Sequence, residues 1–109
     1  MKYGNHKTTV DGITFDSKAE AHRYVELIAL QNLGVIKHLQ LQKPYFLVKG
    51  GKWANGKKYG PVKYVADFVY ELDGELIVED VKGYRTHDYI IKKKLMKERY
   101  GIEIAEVKA

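Results

Sequence analysis

Hydrophobic and polar residues alternate most clearly in the middle of the chain. Tyr64-Val65-Ala66-Asp67-Phe68-Val69-Tyr70 and Leu76-Ile77-Val78-Glu79-Asp80-Val81-Lys82-Gly83 both read as strands. Asp73-Gly74 between them is a strong tight-hairpin signal. Upstream, Thr9-Val10-Asp11-Gly12-Ile13-Thr14-Phe15 repeats that signal on a smaller scale. Asp16 or Ser17 then begins a helix that reaches about Leu33 and stops at Gly34. Val35 to Val48 alternates imperfectly, as a long strand that Pro44 bends or places at a sheet edge. A second helix is expected from His87 to Tyr100, with Ile91, Leu95 and Met96 packing inward and Gly101 ending it. Ile102 to Val107 reads as a last strand with Glu103 and Glu106 outward.

The order is therefore helix, three strands, helix, strand. It predicts an α/β fold (α+β with a mixed sheet) whose last strand pairs in parallel after a helical crossover. Residues 1–8 form a polar lead-in expected to be mobile, and residues 49–61 a long glycine- and lysine-rich loop. Trp53 with Lys52, Lys57 and Lys58 in that loop would stack on a base or grip a backbone. The competing reading is a floppy hairpin tip whose Trp53 covers a core edge.

At 109 residues the chain is expected to be one domain, residues 1–109, with one core. No apolar run is long enough to span a bilayer and no signal peptide is apparent, so the expected setting is cytoplasmic and away from membranes. Cysteine is absent, which excludes disulfides and thiolate metal sites. Charge adds more. The net charge is +5, and between Lys82 and Arg99 seven basic residues face only Asp88 and Glu98. Elsewhere the charges cancel. A solvated helix face explains many such runs, but a polyanion bound through Arg85, Lys93, Lys94 and Lys97 explains one beside a reactive site.

That site is read from the two central strands. Asp80 and Lys82 lie two residues apart and so share a face, with Asp67 on the neighbouring strand. Carboxylates are hard oxygen ligands suited to Mg²⁺, and a lysine in the same pocket would orient water and stabilise charge on a phosphate. The Val81 carbonyl is a further candidate ligand. Glu20 falls three residues after Ser17, as in a capping box, yet shares the apolar face of Tyr24, Leu27 and Ile28. Capping and site membership are both open for it. Glu79 points to the other face and is not a candidate ligand. The alternative for Asp80 and Lys82 is a same-face ion pair of little energetic consequence.

Asp67 followed by Asp80-Val81-Lys82, with Glu20 on the preceding helix, resembles the PD-(D/E)XK nuclease superfamily. A closer resemblance is to short phage-encoded endonucleases assigned to that superfamily. It is carried by Tyr3-Gly4-Asn5, Asp11-Gly12-Ile13, Phe15-Asp16-Ser17-Lys18, Ala66-Asp67-Phe68 and Val78-Glu79-Asp80-Val81-Lys82-Gly83. Ala66 departs from the superfamily's proline. The resemblance implies a restriction-endonuclease-like core, with Asp67, Asp80 and Glu20 as metal-site acids and Lys82 as the catalytic lysine. It also implies a Mg²⁺-dependent DNA endonuclease, with Mn²⁺ able to substitute, acting on duplex or branched DNA such as Holliday junctions in phage replication, recombination or packaging. Symmetric cutting would call for a homodimer. The alternative is a catalytically silent DNA-binding accessory protein of the same fold.

Overall fold

The structure, a computed structural model, describes residues 6–109. Its elements are β1 (Thr8–Val10), β2 (Ile13–Phe15), α1 (Lys18–Asn32), β3 (Ile36–Val48), β4 (Gly51–Lys52), β5 (Lys58–Tyr59), β6 (Val62–Leu72), β7 (Glu75–Lys82), α2 (His87–Tyr100) and β8 (Ala105–Lys108). Tyr3-Gly4-Asn5 and most of the expected lead-in lie outside the described residues. Thr8, placed in that lead-in by the sequence, is already part of β1.

Both Asp-Gly pairs make the turns their chemistry demands. Asp11 and Gly12 take φ of 53° and 76°, and Asp73 and Gly74 take 51° and 80°. Positive φ at both central residues is the type I′ pattern, whose twist matches the strands it joins. The turns close β1 on β2 and β6 on β7, each antiparallel. Helix α1 starts as expected, with the Ser17 hydroxyl accepting from the Glu20 N–H at 3.1 Å. Thr86 caps α2 in the same way, and Gly101 at φ 68° ends it.

The main sheet is mixed, in the order β3-β6-β7-β8. β3 is an edge strand, which lets it hold Pro44. β8 pairs parallel to β7, as the crossover requires. One face is covered by α1, whose Ala21, Tyr24 and Leu27 pack with Phe68, Tyr70 and Val81. Tyr89 and Met96 of α2 cover the other face, against Tyr64, Val78 and Ile104.

The imperfect alternation of β3 has a structural cause. Leu39 and Leu41 join the α1 side, whereas Tyr45 and Leu47 join the α2 side. In β6, Tyr64 and Ala66 pack on the α2 side and Phe68 and Tyr70 on the α1 side. Even separations on a regular strand keep one face, so both strands switch faces at the same level. Gln42 stands there with φ 51°. Its neighbours Leu41 and Lys43 pair with Phe68 and Ala66, which puts Gln42 opposite Asp67.

Several sequence expectations need correction. Ile91 is exposed, and Tyr89 takes its inward place beside Met96. The last strand begins at Ala105. Glu106 does not face solvent: Tyr89, Lys93 and Arg85 all bind it. Residues 49–61 contain an antiparallel hairpin, β4–β5, and Trp53 covers Tyr59 of that hairpin rather than a core edge.

Candidate functional site

The site forms where β6 and β7 part. Their ladder runs from Leu72 opposite Glu75 to Phe68 opposite Glu79. One residue further along each strand stand Asp67 and Asp80, both buried. In place of a β6 carbonyl, the Val81 N–H finds the Asp67 Oδ2 at 2.9 Å. Asp67 thus caps the opened ladder with its side chain.

β7 stays in register with β8 beyond this point, and the Ala109 N–H donates to the Lys82 carbonyl at 3.0 Å. Backbone groups of successive strand residues point to opposite sides. The Val81 carbonyl therefore points with its N–H into the gap beside Asp67, where a ligand would need it.

Asp80 is a strongly perturbed carboxyl. Burial raises its pKa first, and the adjacent Asp67 carboxyl, within hydrogen-bonding reach, raises it further, up to about 7. Two opposing contacts limit the rise. The Tyr64 hydroxyl donates to Asp80 Oδ2 at 2.8 Å, and Lys82 Nζ lies 3.4 Å from the same oxygen. Burial, reinforced by the Asp80 charge, holds the Tyr64 phenol well above its ordinary range. It remains a donor at neutral pH.

Lys82 is positioned from two directions. Its ammonium sits 4.0 Å from the centroid of the Tyr89 ring as well as beside Asp80. The Tyr89 hydroxyl in turn donates to Glu106 Oε2 at 2.7 Å, and Lys93 Nζ reaches the same oxygen at 3.0 Å. Burial opposes ionisation of Glu106, but the hydrogen bonds from Tyr89 and Lys93 win and hold its carboxyl below the usual range. β8 and α2 therefore fix the lysine through an aromatic ring.

These groups open into a cleft of about 960 Å³ that also takes in Glu20, Gln42, Lys63 and Lys92. Glu20 is buried at the start of α1, and its backbone N–H completes the Ser17 cap. Cap geometry and cleft membership coexist: the cap uses the backbone N–H of Glu20, and the same residue lines the cleft. Among the described residues, no group of three or more His, Asp or Glu side chains is arranged to hold a metal ion. Asp67 and Asp80 form a close carboxylate pair.

The basic residues divide sharply. Arg85 and Lys93 are ion-paired with Glu106, and Lys97 with Glu103 at 2.9 Å. Lys94 is exposed on α2, and Lys52, Lys57 and Lys58 are exposed on the β4–β5 hairpin. None of these seven lines the cleft. Of Lys63 and Lys92, which do, Lys92 belongs to the basic run from Lys82 to Arg99, whereas Lys63 carries no special signal in the sequence. Tyr64 and Tyr89 escape a sequence reading for the same reason: they look like ordinary core aromatics.

Glu79, one residue from Asp80, turns to the α1 side. Arg23 grips it with two hydrogen bonds, Nε to Oε1 at 2.6 Å and the guanidinium Nη2 to Oε2 at 2.9 Å. The Tyr70 hydroxyl adds a third at 2.6 Å. The two adjacent acids thus serve opposite faces, one in a structural ion pair and one in the cleft.

No helix among the described residues is long and apolar enough to cross a membrane. No curated protein and no solved structure matches the chain. A family does match, over residues 1–108: the chain belongs to the family described as "Protein of unknown function (DUF1064)".

Proposed function

We propose that this protein is a Mg²⁺-dependent DNA endonuclease that hydrolyses phosphodiester bonds in the cleft between β6, β7 and α2. One observation carries the reading: Asp67 and Asp80 are buried side by side at the split of two strands, with Lys82 against the second. Burying two neighbouring carboxyls is costly unless a proton or a cation compensates. The element order α1-β3-β6-β7-α2-β8 supports the likeness to the PD-(D/E)XK core, and phage DNA processing in a host cytoplasm goes with it.

The donor set fits a hard divalent cation. Five carboxyl-bearing residues line the cleft (Asp16, Glu20, Asp67, Asp80 and Asp88) against the three lysines 63, 82 and 92. Without a cation, such a wall repels phosphate. Asp67, Asp80 and the Val81 carbonyl would hold Mg²⁺ or Mn²⁺, with Glu20 acting through water. When bound, the ion supplies Lewis acidity toward the phosphate and lowers the pKa of its water. Lys82 places its positive charge where negative charge grows on the phosphate, and Tyr89 keeps it there. Tyr64 fixes the rotamer of Asp80. Lys63 and Lys92 flank the cleft and hold the DNA backbone. Cutting both strands, or a junction symmetrically, requires two such sites and hence a homodimer.

A catalytically silent DNA-binding accessory protein is the second reading. It is favoured by the protein contacts that already satisfy Asp67 and Asp80, namely the Val81 N–H, the Tyr64 hydroxyl and Lys82. The deciding experiment incubates supercoiled plasmid and a labelled four-way junction with Mg²⁺, Mn²⁺ or EDTA, comparing the wild type with Asp80→Ala. Metal-dependent cutting that the substitution abolishes supports the nuclease. Tight binding without cutting in any metal assigns the accessory role.

A further inference from the structure

The structure relocates the available positive charge. Arg85, just ahead of α2, and Lys93 and Lys97 on it are committed to Glu106 and Glu103, which leaves Lys92 and Lys94 on that helix. Between residues 49 and 63 the chain carries Lys49, Lys52, Lys57, Lys58 and Lys63 with no acid at all. None of the five pairs with a carboxylate among the described residues.

These lysines stand on or beside a built hairpin. The Trp53 N–H donates to the Lys57 carbonyl at 2.8 Å, and the Gly56 N–H to the Trp53 carbonyl at 2.9 Å. Asn55 Oδ1 accepts from the Lys57 N–H at 3.0 Å, and Gly56 supplies the φ of 85° that closes the turn. At the base, the Tyr59 ring lies so near Gly51 that a Cβ there would come within 2.6 Å of its hydroxyl. Trp53 packs on Tyr59 with centroids 4.8 Å apart, yet remains 61% exposed.

We propose that the β4–β5 hairpin is a DNA-binding arm in which Trp53 stacks on an unpaired base while the surrounding lysines hold the backbone. This deepens the nuclease reading and rests on it only for the consequence that the substrate carries single-stranded or branched DNA. A tryptophan held against a tyrosine and still 61% exposed offers a platform for one more aromatic ring. Bases inside a continuous duplex have both faces covered by their neighbours, so the platform suits a base released from the stack. The arm is rooted at the cleft: Tyr59 ends β5, and Pro61, two residues on, already lines the cleft wall with Lys63. Nine residues folded back on themselves reach about 13 Å, or about three to four nucleotides along a strand.

Trp53 is the only tryptophan in the chain, so tryptophan emission, excited selectively over the nine tyrosines, reports the arm. The experiment titrates the full chain with single-stranded DNA, a splayed four-way junction and a long blunt duplex. It is done in EDTA, with anisotropy of labelled DNA measuring binding independently. Expected are quenching of Trp53 by single-stranded and junction DNA and little change on the duplex. Trp53→Ala should weaken single-strand binding about tenfold, and Trp53→Phe should restore most of it. Replacing Lys52, Lys57 and Lys58 together by Ala should reduce the slope of log affinity against log salt by about 2. Saturating anisotropy with unchanged Trp53 emission overturns the arm, and so does equal quenching by the duplex. Because no metal is present, the outcome is independent of cleavage. Quenching by a protein that never cuts upholds the arm and removes the nuclease, whereas cutting without quenching does the reverse.

Discussion

Gln42 and Asp67 lie opposite one another across the β3–β6 ladder, each where its strand changes the face it gives to the core. Gln42 makes the change on β3 by adopting φ 51°, a left-handed conformation that L-residues other than asparagine and aspartate seldom take. Its neighbour across the ladder is the acid that caps the split between β6 and β7. Local backbone strain and a candidate ligand thus occupy one level of the sheet, a pairing common at functional sites.

Substitution at Gln42 should therefore follow backbone cost rather than side-chain size. Gln42→Val places a β-branched residue at positive φ and should destabilise the fold by about 1–2 kcal/mol. For a domain of this size, that lowers the melting temperature by about 4–8 °C per kcal/mol. Gln42→Gly relieves the strain but loosens the unfolded chain, so it should be close to neutral. Thermal melts of the three proteins decide it. A harmless Gln42→Val would show that this position is not held in the left-handed region.

The raised pKa of Asp80 makes stability depend on pH with a definite sign. The folded value, about 7, lies above the ordinary 3.8. The folded state thus holds a proton that the unfolded chain releases. That stabilisation is fully present below the unfolded value and is lost as pH rises through about 7. Urea denaturation from pH 4 to pH 8 should show the wild type losing stability relative to Asp80→Asn as pH rises, and the comparison cancels the histidines. Mg²⁺ competes with the same proton, so its stabilising effect should be larger at pH 8 than at pH 6. A pH-independent difference between the two proteins would remove the basis for both statements.

Local chemistry was legible and remote chemistry was not. Asp11-Gly12, Asp73-Gly74, the Ser17 cap and Gly101 act through bonds a few residues long, and their turns and caps are where the sequence puts them. The parallel last strand followed from the crossover alone. Asp67, Asp80 and Lys82 could be brought together because strand periodicity and one hairpin relate them. Nothing local relates Arg23 to Glu79, 56 residues apart, or Tyr89 and Glu106 to Lys82. The charge run from Lys82 to Arg99 was visible, but its partial neutralisation, at Arg85, Lys93 and Lys97, by two acids of the last segment needs the folded chain.

That neutralisation yields a test among the lysines. Lys92 lines the cleft, whereas Lys97 is tied to Glu103. In DNA binding measured across salt concentrations, Lys92→Ala should reduce the slope by about 0.9 for each phosphate that the side chain neutralises. Lys97→Ala, which leaves Glu103 unpaired in solvent, should change slope and affinity little. Equal effects of the two would mean that the α2 surface as a whole binds DNA and that the cleft has no special part in it.

The acid that faces away from the cleft should matter most to the fold. Glu79 is buried, and its charge is balanced by Arg23, whose guanidinium its hydrogen bonds keep firmly protonated. Tyr70, donating to the same carboxylate, is raised to about 12, by burial first and then by Glu79. Arg23→Ala leaves a buried carboxylate with only the tyrosine, and removal of one partner from such a pair costs about 3–5 kcal/mol. Replacing both partners, Arg23→Met with Glu79→Leu, removes the charge and its compensation together and should recover most of that loss. Denaturant unfolding of the single and double variants measures the difference. If Arg23→Ala costs less than about 1 kcal/mol, the pair behaves like an exposed one, and the division of labour between Glu79 and Asp80 would no longer explain why two acids stand side by side on β7.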